Sequence, residues 1–263
     1  MSSHTASSLS QLRRAVNQWL DAPDDQVSAP AFVLGCQRSG TSLIADLLGS
    51  LPQSWCWPEH NSIAYEAFRL RSPATVALLT RLTPARLVVF KPVCDAHLGD
   101  RILDAHPDAR AVWVVRGWRA VAQSCVDKWG SHHKDVLLKL ARNEGADVSW
   151  RGERIPDAIQ AQITALATDD MPDEAGAALF WYLRNTFYFS LALDADPRVT
   201  LLRYDDLVRD PVATLAPVLA HLGADAGQAE TLAAKVERRE TAAALPAMDE
   251  RIVALCDALQ AKF

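Results

Sequence analysis

Gly35-Cys-Gln-Arg-Ser-Gly-Thr-Ser42 stands between two apolar segments, Ala31-Phe-Val-Leu before it and Leu43-Ile-Ala-Asp-Leu-Leu48 after it. The first, stopped at a glycine turn, predicts a buried strand over 31–35; the second predicts a helix over 42–48. A glycine-rich turn leading from strand into helix aims successive backbone N–H groups and the helix N-terminus at one place, which makes an anion cradle. The spacing is that of a P-loop, with four residues between the glycines. A nucleotide triphosphatase carries Lys directly after the second glycine. Here that residue is Thr41, and the cation comes earlier, at Arg38. Taken alone, the turn also reads as an ordinary strand–turn–helix corner.

Working outward, short apolar runs predict further strands at 87–90, 111–115 and 199–202, with helices at 102–106, 120–126 and 213–222. Strands alternating with helices predict an α/β chain: a P-loop-like three-layer fold with a central parallel sheet flanked by helices. One domain is expected over residues 1–263. Residues 1–8 read as a polar tail, and Leu9, Leu12, Val16 and Leu20 as one face of a first helix. Residues 130–175 break the strand–helix rhythm with His132-His133, Asp169-Asp170 and Pro172, and read as a mostly helical insertion or lid.

The third strand tests the nucleotide reading. A triphosphatase would end it with an Asp for magnesium; here it ends Val114-Val115-Arg116. A cation in that place calls for a second anionic group on the ligand. Basic residues in fact follow every expected strand: Arg38, Lys91, Arg116 and Arg203. In an open parallel sheet the ligand binds outside those carboxyl ends. A lone Arg or Lys is commonly a surface base; four near one crevice, in a chain of formal charge −5, make a focused anion site.

That net charge argues against a general nucleic-acid or anionic-membrane binder. With 49% hydrophobic and 22% charged residues the chain is a folding one, and it has no run of about 18 apolar residues to span a bilayer. Five cysteines, none in CxxC spacing, argue against a disulfide framework or zinc site and fit a reducing, cytoplasmic compartment.

With these residues assembled, the chain resembles the sulfotransferases that use 3′-phosphoadenosine 5′-phosphosulfate (PAPS). Arg38-Ser-Gly-Thr-Ser42 is similar to the family's 5′-phosphosulfate loop. Val115-Arg-Gly-Trp-Arg-Ala-Val-Ala-Gln-Ser124 is similar to its 3′-phosphate motif, and Leu202-Arg-Tyr-Asp-Asp-Leu207 to its third landmark. The three occur in family order, and the pattern is closer to the tyrosylprotein and carbohydrate-type branch than to the cytosolic small-molecule branch. The latter usually has Lys in the loop and an Arg-Lys-Gly triplet near its C-terminus, where this chain has Arg238-Arg239-Glu240.

The resemblance implies a transfer of sulfonate from PAPS to a hydroxyl or amine of a small-molecule, carbohydrate or peptide acceptor. It leaves 3′-phosphoadenosine 5′-phosphate and needs no metal. It implies that Arg38, Ser39, Gly40, Thr41 and Ser42 hold the 5′ end, that Arg116 and Ser124 grip the 3′-phosphate, and that Lys128 and Tyr204 lie beside the nucleotide. It places a catalytic base nineteen positions after Gly40, at Glu59, and a lysine near the transferred group, at Lys91. Arg38 and Lys91 would meet the charge that builds on the leaving phosphate. His60 and His97 are alternative bases, and among Trp55, Trp57, Trp118, Trp129 and Trp150 some could stack an adenine or acceptor ring. Two other readings stay open: a P-loop kinase or nucleotide triphosphatase, and a non-catalytic PAPS-binding protein.

Overall fold

Alternation along the strands builds the molecule. In the computed structural model, which describes residues 28–237 and 245–263, strand β1 (Ala29–Gly35) sends Ala31 and Val33 into one core and Phe32 and Leu34 into another. The expected first helix and Arg238-Arg239-Glu240 lie outside the described residues. Successive strand side chains point to opposite faces, so a strand buried on both sides feeds two cores and reads as a continuous apolar run. Strands β5 (Leu87–Phe90) and β6 (Arg110–Val115) divide the same way: Val88, Phe90, Trp113 and Val115 face one core, and Leu87, Val89, Val112 and Val114 the other.

Five parallel strands form the sheet, in the order β2-β5-β1-β6-β7, with β2 at Ser54–Trp57 and β7 at Val199–Arg203. The three-layer, P-loop-like α/β fold expected from the sequence is present. Helix α1 (Thr41–Gly49) packs on one face with Ile44, Leu47 and Leu48, joined there by α9 (Pro211–His221). The other face carries α4 (Trp118–Trp129), α7 (Asp173–Ser190) and α11 (Glu250–Gln260).

Several elements go beyond the sequence reading, α7 among them. Strand β2, Ser-Trp-Cys-Trp, is a half-buried edge strand with too little apolar length to stand out. A hairpin follows, β3 (Tyr65–Glu66) and β4 (Arg69–Leu70), and then α2 (Pro73–Leu82), whose N-cap Ser72 accepts a bond from the Thr75 N–H. Helix α3 covers Gly99–Ala105. Residues 130–175 hold α5 (His132–Ala141), a 3₁₀ segment (Gly145–Gly152), α6 (Asp157–Leu166) and the start of α7. The remaining helices are α8 (Tyr204–Arg209) and α10 (Ala229–Ala233). Among the described residues no helix is long and apolar enough to cross a membrane.

Candidate active site

Because all five strands run the same way, their carboxyl ends share one edge. Across the sheet that edge presents, in spatial order, Glu59 after β2, Lys91 after β5, the glycine loop after β1, Arg116 after β6 and Tyr204 after β7. This is the crevice in which open α/β sheets bind ligands.

The loop needs both of its glycines. Gly35 has φ 136°, and a Cβ there would stand 2.4 Å from the Val114 carbonyl oxygen of the neighbouring strand. Gly40 has φ 97°, and a Cβ there would stand 2.3 Å from the Tyr204 ring. Arg38 takes a left-handed φ of 65°, a conformation uncommon outside glycine. It donates from Nε to Ser124 Oγ at 3.0 Å, and its guanidinium stands 5.8 Å from the Trp129 ring centroid. The loop is thereby tied to α4. The Ser39 hydroxyl is buried with no hydrogen-bond partner among the described residues.

A cleft of about 520 Å³ opens over the loop, lined by Arg38, Gly40, Thr41, Ser42, Arg116 and Ser124, together with Tyr204. The two motif segments, 78 residues apart at Arg38 and Arg116, thus meet: Arg116 donates to the Arg38 carbonyl at 3.4 Å. Its own carbonyl accepts from Trp181 Nε1 at 3.0 Å, and its guanidinium lies 4.6 Å from the Tyr204 ring centroid. The Tyr-Asp-Asp-Leu turn has a physical role at each end. Tyr204 fills the space that Gly40 leaves open, Asp205 accepts from the Gly117 N–H at 3.0 Å at the start of α4, and Leu207 is buried in the core.

Beside the cleft, Lys91 Nζ donates to Ser42 Oγ at 3.2 Å and pairs with the Glu59 carboxylate at 2.5 Å. The Lys91 N–H donates to Tyr65 Oη at 2.7 Å, which ties the hairpin to the end of β5. The Glu59–Lys91 pair is mostly buried, with side-chain exposures of 22% and 12%.

Not every expected residue joins. Lys128 is exposed on the last turn of α4 and does not line the cleft; Arg203 is likewise exposed and outside it. His60 is exposed. His97 is wholly buried, bonded to Glu153 at 2.8 Å, and held down at about 4 by burial and by Arg184. Of the tryptophans, Trp118 is buried and donates to Asp257 at 2.7 Å. Four cleft residues escaped the sequence reading: Leu43, Asp46, Lys235 and Glu237. Asp46 falls one helical turn after Ser42, a signal that was available; burial raises its carboxyl pKa while Lys91 opposes the shift. Lys235 arrives from the distant α10 region with no local motif.

No family model and no curated protein matches the sequence. Solved structures do match in fold. A sulfotransferase from Alicyclobacillus acidocaldarius superposes with a TM-score of 0.53 at 17% identity, covering 89% of this chain and 93% of that one. A sulfotransferase domain from the curacin biosynthetic pathway does so with a TM-score of 0.50 at 15% identity, covering 90% and 99%. This chain has the fold of those sulfotransferases.

Proposed function

We propose that the protein is a PAPS-dependent sulfotransferase. One observation carries the reading: Arg38 and Arg116, from two separate motif segments, line one cleft over a glycine-rich anion loop, with a lysine–carboxylate pair at its side. The residues suit a ligand with two anionic ends. The loop N–H groups, Thr41 and Ser42 would take the 5′-phosphosulfate; Arg116 and Ser124 would take the 3′-phosphate, with Tyr204 against the nucleotide; Ser39, buried beneath the loop, does not line the cleft. Lys128, exposed outside the cleft, has no place in this set.

Transfer requires that the acceptor lose a proton and that charge on the departing phosphate oxygen be met. Glu59 is assigned the first task, as general base to a hydroxyl or amine. Lys91 and Arg38 are assigned the second, as fixed cations aimed at the group where charge develops. Lys91 already bridges the two, touching Ser42 on the donor side and Glu59 on the acceptor side. The assignment of Glu59 follows the spacing of the tyrosylprotein-type branch.

Calorimetry in EDTA tests the donor reading. Adenosine 3′,5′-bisphosphate should bind more tightly than Mg-ATP, the latter measured with magnesium restored. Arg116→Ala should weaken the bisphosphate by about tenfold or more while changing adenosine 5′-monophosphate far less, as expected for loss of a charged hydrogen bond. Preference for Mg-ATP, or equal losses for both nucleotides, would overturn the reading.

A further inference from the structure

Among the described residues Arg151 is a cation without a counter-ion. It closes the 3₁₀ segment Gly145–Gly152, half-buried, with its guanidinium 4.4 Å from the Trp150 ring centroid. Its Nε is buried and makes no hydrogen bond among the described residues, and it forms no ion pair there. The carboxylates nearby are committed elsewhere. Glu153 takes both Arg69 terminal nitrogens at 2.9 and 3.0 Å and His97 at 2.8 Å; Asp95 takes Arg69 and the Leu70 N–H; Glu59 takes Lys91.

Arg184, His132, His133 and the Cys94 thiol lie near Arg151. Arg184, fully buried on α7, stands over the same indole at 4.8 Å and donates to the Val93 carbonyl at 3.2 Å. Burial, and then the positive charge of Arg151, holds His132 below its ordinary pKa; His133 lies at about 3, lowered by burial, by His132 and by Arg151. Leaving a half-buried guanidinium among such neighbours is unfavourable unless an anion joins it.

The place of this cation in the fold says which anion. Val93, held by Arg184, opens the turn that begins two residues after Lys91, and Cys94 follows it. Burial pushes the Cys94 thiol up to about 11; Glu59 adds to the shift, while Arg184 and Arg151 oppose it. Arg184 thus touches both the Trp150 ring and the Val93 carbonyl, and the Val93 N–H donates to the Lys91 carbonyl at 3.0 Å, so the segment that bears Arg151 packs beside the turn that follows Lys91. Arg151 does not line the cleft over the glycine loop. The backbone is also set for it: Ser149 takes φ 55° and ψ −141°, breaking the segment just before Trp150 and Arg151. Such a conformation costs a non-glycine residue on the order of 1–3 kcal/mol and concentrates at ligand sites.

We propose that Arg151 is a specificity residue for an acceptor that carries a carboxylate near its reacting hydroxyl, bound by the guanidinium as a planar fork over Trp150. The proposal rests on Glu59 receiving the acceptor hydroxyl, so it deepens the sulfotransferase reading. Residues 145–152, from the stretch expected as an insertion, then wall the acceptor side.

The test is calorimetry on the full chain with 4-hydroxyphenylacetate, glycolate and glucuronate, each against its own amide, with and without adenosine 3′,5′-bisphosphate. At least one carboxylate should bind about tenfold or more tightly than its amide. Arg151→Gln should erase that difference and leave bisphosphate affinity unchanged, and Arg151→Lys should retain part of it. Melting temperatures establish that the variants fold. Equal binding of every pair, or a preference that survives Arg151→Gln, overturns the proposal. Failure of the donor reading has a separate signature, because absent bisphosphate binding leaves the carboxylate-to-amide ratio measurable.

Discussion

Glu59 and Lys91 meet at 2.5 Å, and Lys91 also reaches Ser42 in the cleft. Under the proposed function an incoming sulfonate would compete for the same ammonium, so donor binding would loosen the hold on Glu59 as it supplies the group to be transferred. Glu59→Gln should keep donor-product affinity, because under the proposed roles the amide replaces a group on the acceptor side. Single-turnover transfer should fall by about 10²-fold or more. A variant that loses nucleotide affinity together with stability would instead mark the pair as structural. Lys91 was readable as the basic residue after a strand, and Glu59 only through the resemblance, whose tyrosylprotein-type pattern has an acidic residue nineteen positions after Gly40. Arg151 was not, because a lone arginine in a polar stretch has no periodicity. Its meaning comes from which carboxylates its neighbours have already engaged.

At the scale of elements, the glycine loop, α4 and the Tyr204 turn form one packed joint. Tyr204 occupies the volume beside Gly40, Arg116 stacks on Tyr204, and Ser124 holds Arg38. Gly40→Ala would place a methyl group 2.3 Å from a ring carbon at φ 97°. It should cost about 1–3 kcal/mol, a fall of roughly 2–8 °C in melting temperature for a chain of this size, and it should weaken nucleotide binding. An unchanged melting curve would mean that the Tyr204 ring swings aside freely. The strands and helices that build this joint were legible, because doubly buried strands read as apolar runs and the loop has a spacing. Strand β2 was not: an edge strand alternating Ser, Trp, Cys and Trp lacks that run, although it delivers Glu59. Helix α7 also went unread, because it is apolar around most of its surface and shows no amphipathic stripe.

For the whole molecule, acid should be destabilising in a defined window. His97 lies at about 4, lowered by burial and Arg184, and His133 at about 3, lowered by burial and His132. Unfolded histidine titrates near 6.5. As pH falls below about 6.5 the unfolded chain takes up protons that the folded chain refuses, so stability drops until the folded values are reached. The limiting slope is about 1.4 kcal/mol per pH unit for each histidine. Melting temperature measured from pH 7 to pH 4 should decline, and His133→Leu should flatten that decline. An identical slope in the variant would place the acid sensitivity elsewhere. The formal charge of −5 is no obstacle to an anion site, since the cations that matter are gathered at one edge.

That edge also acts as a ruler. Neighbouring strands lie about 4.8 Å apart, so the four spacings from β2 to β7 measure roughly 19 Å. Glu59 follows the strand at one end of this scale and Tyr204 the strand at the other, with the glycine loop after the central strand. Under the proposed assignments the two substrates come in from opposite sides and touch only in the middle, so neither blocks the other's route. The reach of each is set by backbone pairing, which side-chain substitutions leave in place, and the acceptor end can therefore change its chemistry without moving the donor.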